Sequence, residues 1–270
     1  MKKKVLIAGQ EGMVGSSIYR NLKNKKNYKI SDCKRKSVDF TNQLSVNSWF
    51  KKNKPDVVIN AAGRVGGILD NSSFQSDYLY INSMIGLNII NASLNNGVIQ
   101  LINLGSACIY PKEVSQPIHE DSLLTSSLEK SNEGYAIAKI TTLKYCQYIK
   151  KKFKKNFISL QPANLYGQGD NFDLKAGHVL PALIKKFHDA KINNQSEIIC
   201  WGTGAPKREF LYVDDLAEAT IFILENISSK TNPNNNFSLN LDSLINIGTG
   251  LDIGIKDLAE MIAKELNYKG

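Results

Sequence analysis

The chain has 270 residues, 42% hydrophobic and 22% charged, and its 34 Lys and Arg against 25 Asp and Glu give a net charge of +9. That length holds one large α/β unit or a nucleotide-binding unit with a small companion, and the charge favours anionic ligands. Cys33, Cys108, Cys146 and Cys200 have neither zinc nor disulfide spacing, no apolar stretch is long enough to span a membrane, and the basic cluster at 150–155 lacks the aromatic interleaving of a nucleic-acid surface.

The N-terminal Met1-Lys2-Lys3-Lys4 resembles the start of a signal peptide, but the apolar run after it is too short for an h-region, so a cytoplasmic protein is expected. The run Val5-Leu6-Ile7-Ala8 predicts a buried parallel strand at 4–8. It breaks at Gly9 and continues as Gly9-x2-Gly12-x2-Gly15 into an amphipathic helix over 13–22. Glycines there permit a tight turn and a close backbone approach to a pyrophosphate, whose charge then sits at a helix N-terminus. Further strands are expected at 28–30, 57–60, 99–104 and 157–161, with helices at 45–52, 78–96 and 135–152 between them. Such alternation is what a doubly wound sheet requires.

After Pro162-Ala163-Asn164-Leu165-Tyr166-Gly167 the pattern loosens. Helices at 178–190 and 213–225 flank an expected strand at 197–201. An asparagine-rich loop at 228–240 follows, and a strand at 244–247 and a helix at 255–266 come last. The expected division is a Rossmann-type dinucleotide domain over 1–165 plus about 212–230, and a smaller α/β substrate domain over 166–211 and 240–270.

Tyr135 and Lys139 fall one helical turn apart in Tyr-Ala-Ile-Ala-Lys, so both side chains project from one helix face. A lysine ammonium beside a phenol favours phenolate and is expected to lower the tyrosine pKa from about 10. Ser106 ends the apolar run 99–104, where a strand hands over to a loop. Together the three side chains can deliver a proton to a carbonyl oxygen as a hydride reaches its carbon. A Tyr-x3-Lys pair alone is a weak signal; the glycine turn upstream gives it weight.

The glycine spacing and the Ser, Tyr and Lys set resemble the extended short-chain dehydrogenase/reductase family. Within it, the segments Gly12-Met-Val-Gly-Ser16, Arg64-Val-Gly-Gly-Ile68, Gly105-Ser-Ala-Cys-Ile-Tyr-Pro111, Asn132-Glu-Gly-Tyr-Ala-Ile-Ala-Lys139, Asn164-Leu-Tyr-Gly167, Asp170-Asn-Phe172, His178-Val-Leu-Pro-Ala182 and Trp201-Gly-Thr-Gly204 with Arg208-Glu-Phe-Leu211 look like the GDP-L-fucose synthases. The resemblance implies conversion of GDP-4-keto-6-deoxy-D-mannose by inversion at C3 and C5, then reduction at C4 with NADP(H). It makes Cys108 the base and His178 the acid, sets Ser106 and Tyr135 on the enolate oxygen, and has Tyr135 give the final proton. Cys108 then needs positive charge nearby, or His178, to become thiolate.

For the cofactor, the resemblance implies contacts from Gly9, Gln10, Glu11, Gly12, Met13, Val14 and Gly15, from Asp39 and Phe40 over the adenine, and from Leu104, Gly105, Ser106 and Ala107. Lys139 on the ribose, Pro162, Ala163, Asn164, Leu165 and His178 complete that set. Arg35 matches the arginine of the 2′-phosphate, with Lys34 and Lys36 beside it, whereas Asp32 stands near the acidic position that favours NAD, and Glu11 replaces a frequent arginine. NADP(H) is expected. Lys186, Trp201 and Arg208 match contacts to the sugar nucleotide, and a homodimer is implied.

The sequence stops soon after the expected last helix, where the resembled family continues, so an incomplete sugar domain that binds GDP-sugar poorly is also expected. The alternatives are an enzyme acting on another GDP-4-keto-6-deoxy sugar and a non-catalytic dinucleotide-binding protein.

Overall fold

The computed structural model describes residues 2–34, 36–174, 176–226 and 243–270. Arg35 and the expected loop at 228–240 lie outside them. The main sheet joins β1 (Lys3–Ala8), β2 (Tyr28–Ile30), β3 (Val57–Asn60), β4 (Gln100–Leu104), β5 (Asn156–Pro162) and β8 (Leu244–Ile247). Its order is β2-β1-β3-β4-β5-β8, and every neighbouring pair is parallel. β3, β4 and β5 bury every side chain, as strands with both faces covered do, and apolar residues predominate in them.

One face is covered by α2 (Gln43–Asn53), α4 (Gln75–Asn95) and α5 (Glu133–Phe153), where Phe50, Ile89 and Cys146 meet Leu6, Val58, Leu101 and Phe157. The other face is covered by α1 (Met13–Leu22) and α7 (Val213–Asn226), where Ile18, Leu22, Ala217 and Ile221 meet Val5, Ile7, Ile59 and Ile102. The chain leaves β1 toward β2 on one side, and β3 lies on the other. The loops after β1 and β3 therefore diverge and leave a crevice at the carboxyl ends of the strands.

A second sheet of three short strands stands beyond that crevice. β6 (Asn164–Tyr166) runs parallel to β7 (Lys207–Tyr212), and β7 pairs antiparallel with β9 (Asp252–Gly254). α6 (Val179–Ile192) and α8 (Ile255–Glu265) pack there through Leu183, Phe187, Leu258 and Ile262. A short helix, α3 (Ile68–Ser73), precedes α4.

Two expectations change. The segment 197–201 is irregular: Ile199 is 77% and Trp201 64% exposed, and the strand falls instead at Lys207–Tyr212. Only Leu211 of that strand is buried, so it carries no apolar run to read. The second change concerns 240–270, expected in the smaller unit. Its β8 joins the large sheet, hydrogen-bonded beside β5 from Ser159↔Leu244 to Pro162↔Ile247.

Candidate active site

The turn after β1 is built on close backbone approach. Gly9 has φ +80, and a Cβ there would fall 2.7 Å from the Ala61 carbonyl oxygen of the loop after β3. A Cβ on Gly15 would fall 2.1 Å from Gly9 O, so this glycine lets α1 close onto the turn. α1 begins at Gly12 with no side-chain cap, which leaves its first amides for a ligand. Gln10 Oε1 is buried in the same turn without a hydrogen-bond partner among the described residues. Unsatisfied donors and a glycine cradle at the sheet's switch point fit the pyrophosphate of a dinucleotide.

Asp39 and Phe40 lie beside this turn's edge of the sheet. Asp39 Oδ1 accepts from Thr41 N–H at 2.9 Å and Thr41 Oγ1 at 2.7 Å, and Asn88 Nδ2 on α4 donates to Phe40 O at 3.0 Å. Glu11, Asp32, Lys34 and Lys36 are exposed.

At the carboxyl end of β4 the sequence candidates meet. Lys139 Nζ is buried and donates to Leu104 O at 2.9 Å. The same ammonium stands 5.6 Å from the Tyr135 ring centre. Ser106 opens a 3-10 turn over Ala107–Ile109, and its Oγ accepts Cys108 N–H at 3.4 Å. Ser106 N–H donates to Gln161 Oε1 at 2.7 Å, and Gly105 N–H pairs with Leu160 O at 2.8 Å. Pro162 ends β5, Ala163 N–H donates to Ile247 O at 2.9 Å, and Asn164 Nδ2 donates to Glu209 O at 2.9 Å, so this stretch carries the chain into the second sheet beside Leu165.

Electrostatics here are governed by burial. It pushes the Tyr135 phenol up, helped by Cys108 and Tyr78 and opposed by a Ser106 hydrogen bond. The expectation that Lys139 lowers Tyr135 is therefore overturned: desolvation of the phenolate wins. Burial also brings Lys139 down to about 8, against a counter-pull from Cys108. Cys108 is pushed up to about 11 by burial, although the Ser106 hydrogen bond and the Lys139 charge pull toward thiolate.

His178 occupies the N-cap position of α6 without a capping side-chain hydrogen bond, and it reaches solvent. Protein around its ring depresses its pKa, and the Asp170 carboxylate opposes this. The loop after β3 connects the two groups of candidates. A Cβ on Gly63 would lie 3.8 Å from Lys139 Nζ, and Gly67 N–H donates to Ala176 O, two residues before His178, at 2.8 Å.

Lys186, Trp201 and Arg208 stand apart in the second unit. Lys186 Nζ lies 4.4 Å from the Trp201 ring centre and donates to Ile199 O at 3.1 Å. Trp201 lines a cavity of about 410 Å³ with Phe187, Thr203, Lys256 and Tyr268. Arg208 Nη1 donates back to Lys207 O at 2.7 Å.

Sequence reasoning passed over the wall behind Tyr135. Tyr78 meets its ring edge-on with centroids 6.0 Å apart, and the Tyr78 hydroxyl donates to Asp70. Arg64 lies over Tyr78 at 4.8 Å and bridges Asp70 and Asp77. The only hint was Arg64 within a family segment; a fully buried tyrosine on a helix looks like ordinary core.

Residues 5–241 match the model of the NAD dependent epimerase/dehydratase family. The chain is 43% identical over 268 residues to the GDP-L-fucose synthase of Sinorhizobium fredii, covering 99% of this chain and 81% of that one. It is 42% identical over 269 residues to the GDP-L-fucose synthase of Escherichia coli, covering 100% of this chain and 83% of that one. Among solved structures, a GDP-D-glycero-L-gluco-heptose synthase from Campylobacter jejuni, crystallised in the presence of NADPH, superposes with a TM-score of 0.87 at 31% identity, over 100% of this chain and 87% of that one. The chain therefore belongs to the NAD dependent epimerase/dehydratase family, in its GDP-L-fucose synthase group.

Proposed function

We propose that this chain converts GDP-4-keto-6-deoxy-D-mannose to GDP-L-fucose, inverting C3 and C5 and reducing C4 with NADPH. One observation carries the reading: Ser106, Cys108, Tyr135 and Lys139 form a single cluster at the carboxyl end of β4, Lys139 buried and the other three half-buried. The identities above support the substrate, and the uncapped start of α1 supports a dinucleotide.

The protons at C3 and C5 are acidic because each neighbours the C4 ketone. Cys108 takes a proton from one face, with the Lys139 ammonium and the Ser106 hydroxyl as the groups that favour its thiolate. His178 returns a proton from the other face; its depressed pKa makes its imidazolium a stronger acid than usual. Ser106 and Tyr135 hold the developing oxyanion. Bound NADPH supplies the hydride for C4. Tyr135 keeps its proton at neutral pH because burial disfavours the phenolate, and it donates that proton to the C4 oxygen. Arg35, with Lys34 and Lys36, is assigned to the 2′-phosphate, and Lys186, Trp201 and Arg208 to the sugar nucleotide. The setting is a cytoplasmic homodimer.

The test is turnover of GDP-4-keto-6-deoxy-D-mannose in deuterated water. NADPH should be oxidised and deuterium should enter C3 and C5. Cys108→Ser should abolish the labelling and leave NADPH binding intact, since a serine hydroxyl is too weak a base. Labelling at the wild-type rate in that variant would remove Cys108 from its role.

A second reading, action on another GDP-4-keto-6-deoxy sugar, is favoured by the likeness to the Campylobacter jejuni heptose synthase. Faster turnover of a heptose or colitose precursor in the same assay would select it. Absence of any turnover, with NADPH still bound, would leave a dinucleotide-binding protein.

A further inference from the structure

At the carboxyl end of β5 stands a polar side chain that the mechanism above does not use. Gln161, between Leu160 and Pro162, is 2% exposed. Its Oε1 accepts the Ser106 N–H at 2.7 Å, while its Nε2 is buried without a hydrogen-bond partner among the described residues. The amide cannot be turned over, because that would set one N–H against another. A Cβ on Gly105 would fall 1.9 Å from Gln161 Oε1, so the glycine is what lets the amide lie flush against the backbone.

A buried donor without an acceptor costs folding free energy, and an apolar side chain of similar length would avoid that cost. What the amide provides is local. The β4–β5 ladder runs as far as Leu104↔Leu160, and Gly105 N–H still finds Leu160 O at 2.8 Å. The next main-chain donor belongs to Ser106, and a side-chain oxygen, rather than a β5 carbonyl, receives it. Gln161 thus extends the ladder by one residue as the strand turns into its catalytic loop. The residue so held places one hydroxyl against both Cys108 and Tyr135.

We propose that Gln161 is a positioning residue, fixing the Ser106 backbone so that its hydroxyl serves Cys108 and Tyr135 together. The catalytic part of this rests on the reaction proposed above; the structural part does not.

Two measurements test it. The first is hydrogen exchange at the Ser106 amide, which needs no substrate. Gln161→Met should lose protection there, whereas Gln161→Glu, which retains an oxygen acceptor, should keep it. Unchanged protection in Gln161→Met overturns the proposal. The second is a double-mutant cycle. Gln161→Met should lower kcat about 10- to 100-fold with both KM values held, as small misplacements of reacting groups do. In a Ser106→Ala background it should lower the residual kcat no further. An equal loss in both backgrounds, or lost protection with unchanged kcat, overturns it. If the wild type does not turn over the sugar, the proposed reaction fails, and the exchange measurement still decides whether Gln161 holds Ser106.

Discussion

Lys139 carries its charge into a space that burial has largely stripped of water, and its pKa falls from 10.5 to about 8. Below pH 8 the residue is charged in both folded and unfolded chains, so the cost of desolvation is fully present. Between 8 and 10.5 the folded form gives up its proton first and the cost is relieved. Lys139→Met should therefore raise stability at pH 7 by about 1–2 kcal/mol, net of the lost bond to Leu104 O. The gain should shrink above pH 8, and turnover should be lost. Denaturant unfolding at pH 7 and pH 9 checks this, and a variant less stable at pH 7 would sink the burial account. Tyr135→Phe should lower kcat by about 10²–10⁴-fold, the usual worth of a positioned acid, with little change in Tm. An unchanged kcat would remove Tyr135 as the donor. The identities of these residues were legible in the sequence through spacing. The direction of their pKa values was not, because spacing reveals that Lys139 neighbours Tyr135 but not how far the protein around them withdraws both polar groups from water.

Among the elements, those of the large sheet could be read because burial on two faces leaves stretches in which apolar residues predominate, as at Val57–Asn60 and Gln100–Leu104. The second sheet could not. β6 and β9 are three residues each and β7 buries only Leu211, whereas the apolar run around Ile199 lies exposed at the rim of a cavity. The glycine turn was legible in kind, and the structure ranks its members. Gly15→Ala sets a Cβ 2.1 Å from the Gly9 carbonyl, a backbone atom that cannot step aside. We expect it to destabilise the fold by about 1–3 kcal/mol, as overpacking does, and to weaken NADPH binding. Gly12→Ala meets its nearest atom at 3.4 Å and should leave stability nearly unchanged. Equal unfolding midpoints for the two variants would contradict this ranking.

At the scale of the molecule, α4 and α5 cover the sheet with their inner faces yet leave Leu79, Tyr80, Ile137 and Tyr148 exposed. The proposed homodimer would bury such side chains. Replacing Tyr80 and Tyr148 together by Lys should shift the sedimentation coefficient toward the monomer, and an unaltered dimer would place the interface elsewhere. Among the described residues no helix is long and apolar enough to cross a membrane. The two sheets are themselves connected tightly. Ala163 alone separates β5 from β6, and β7 passes into α7 without an intervening residue. That helix is tied to the helix that follows the glycine turn, for Arg20 of α1 meets Asp214 at 2.7 Å. A third connection, residues 248–251, joins β8 of the large sheet to β9 of the second. Two crossings would leave an axis to turn about; three fasten the small sheet like the legs of a tripod, so what is bound on one side of the crevice meets the other at a set spacing.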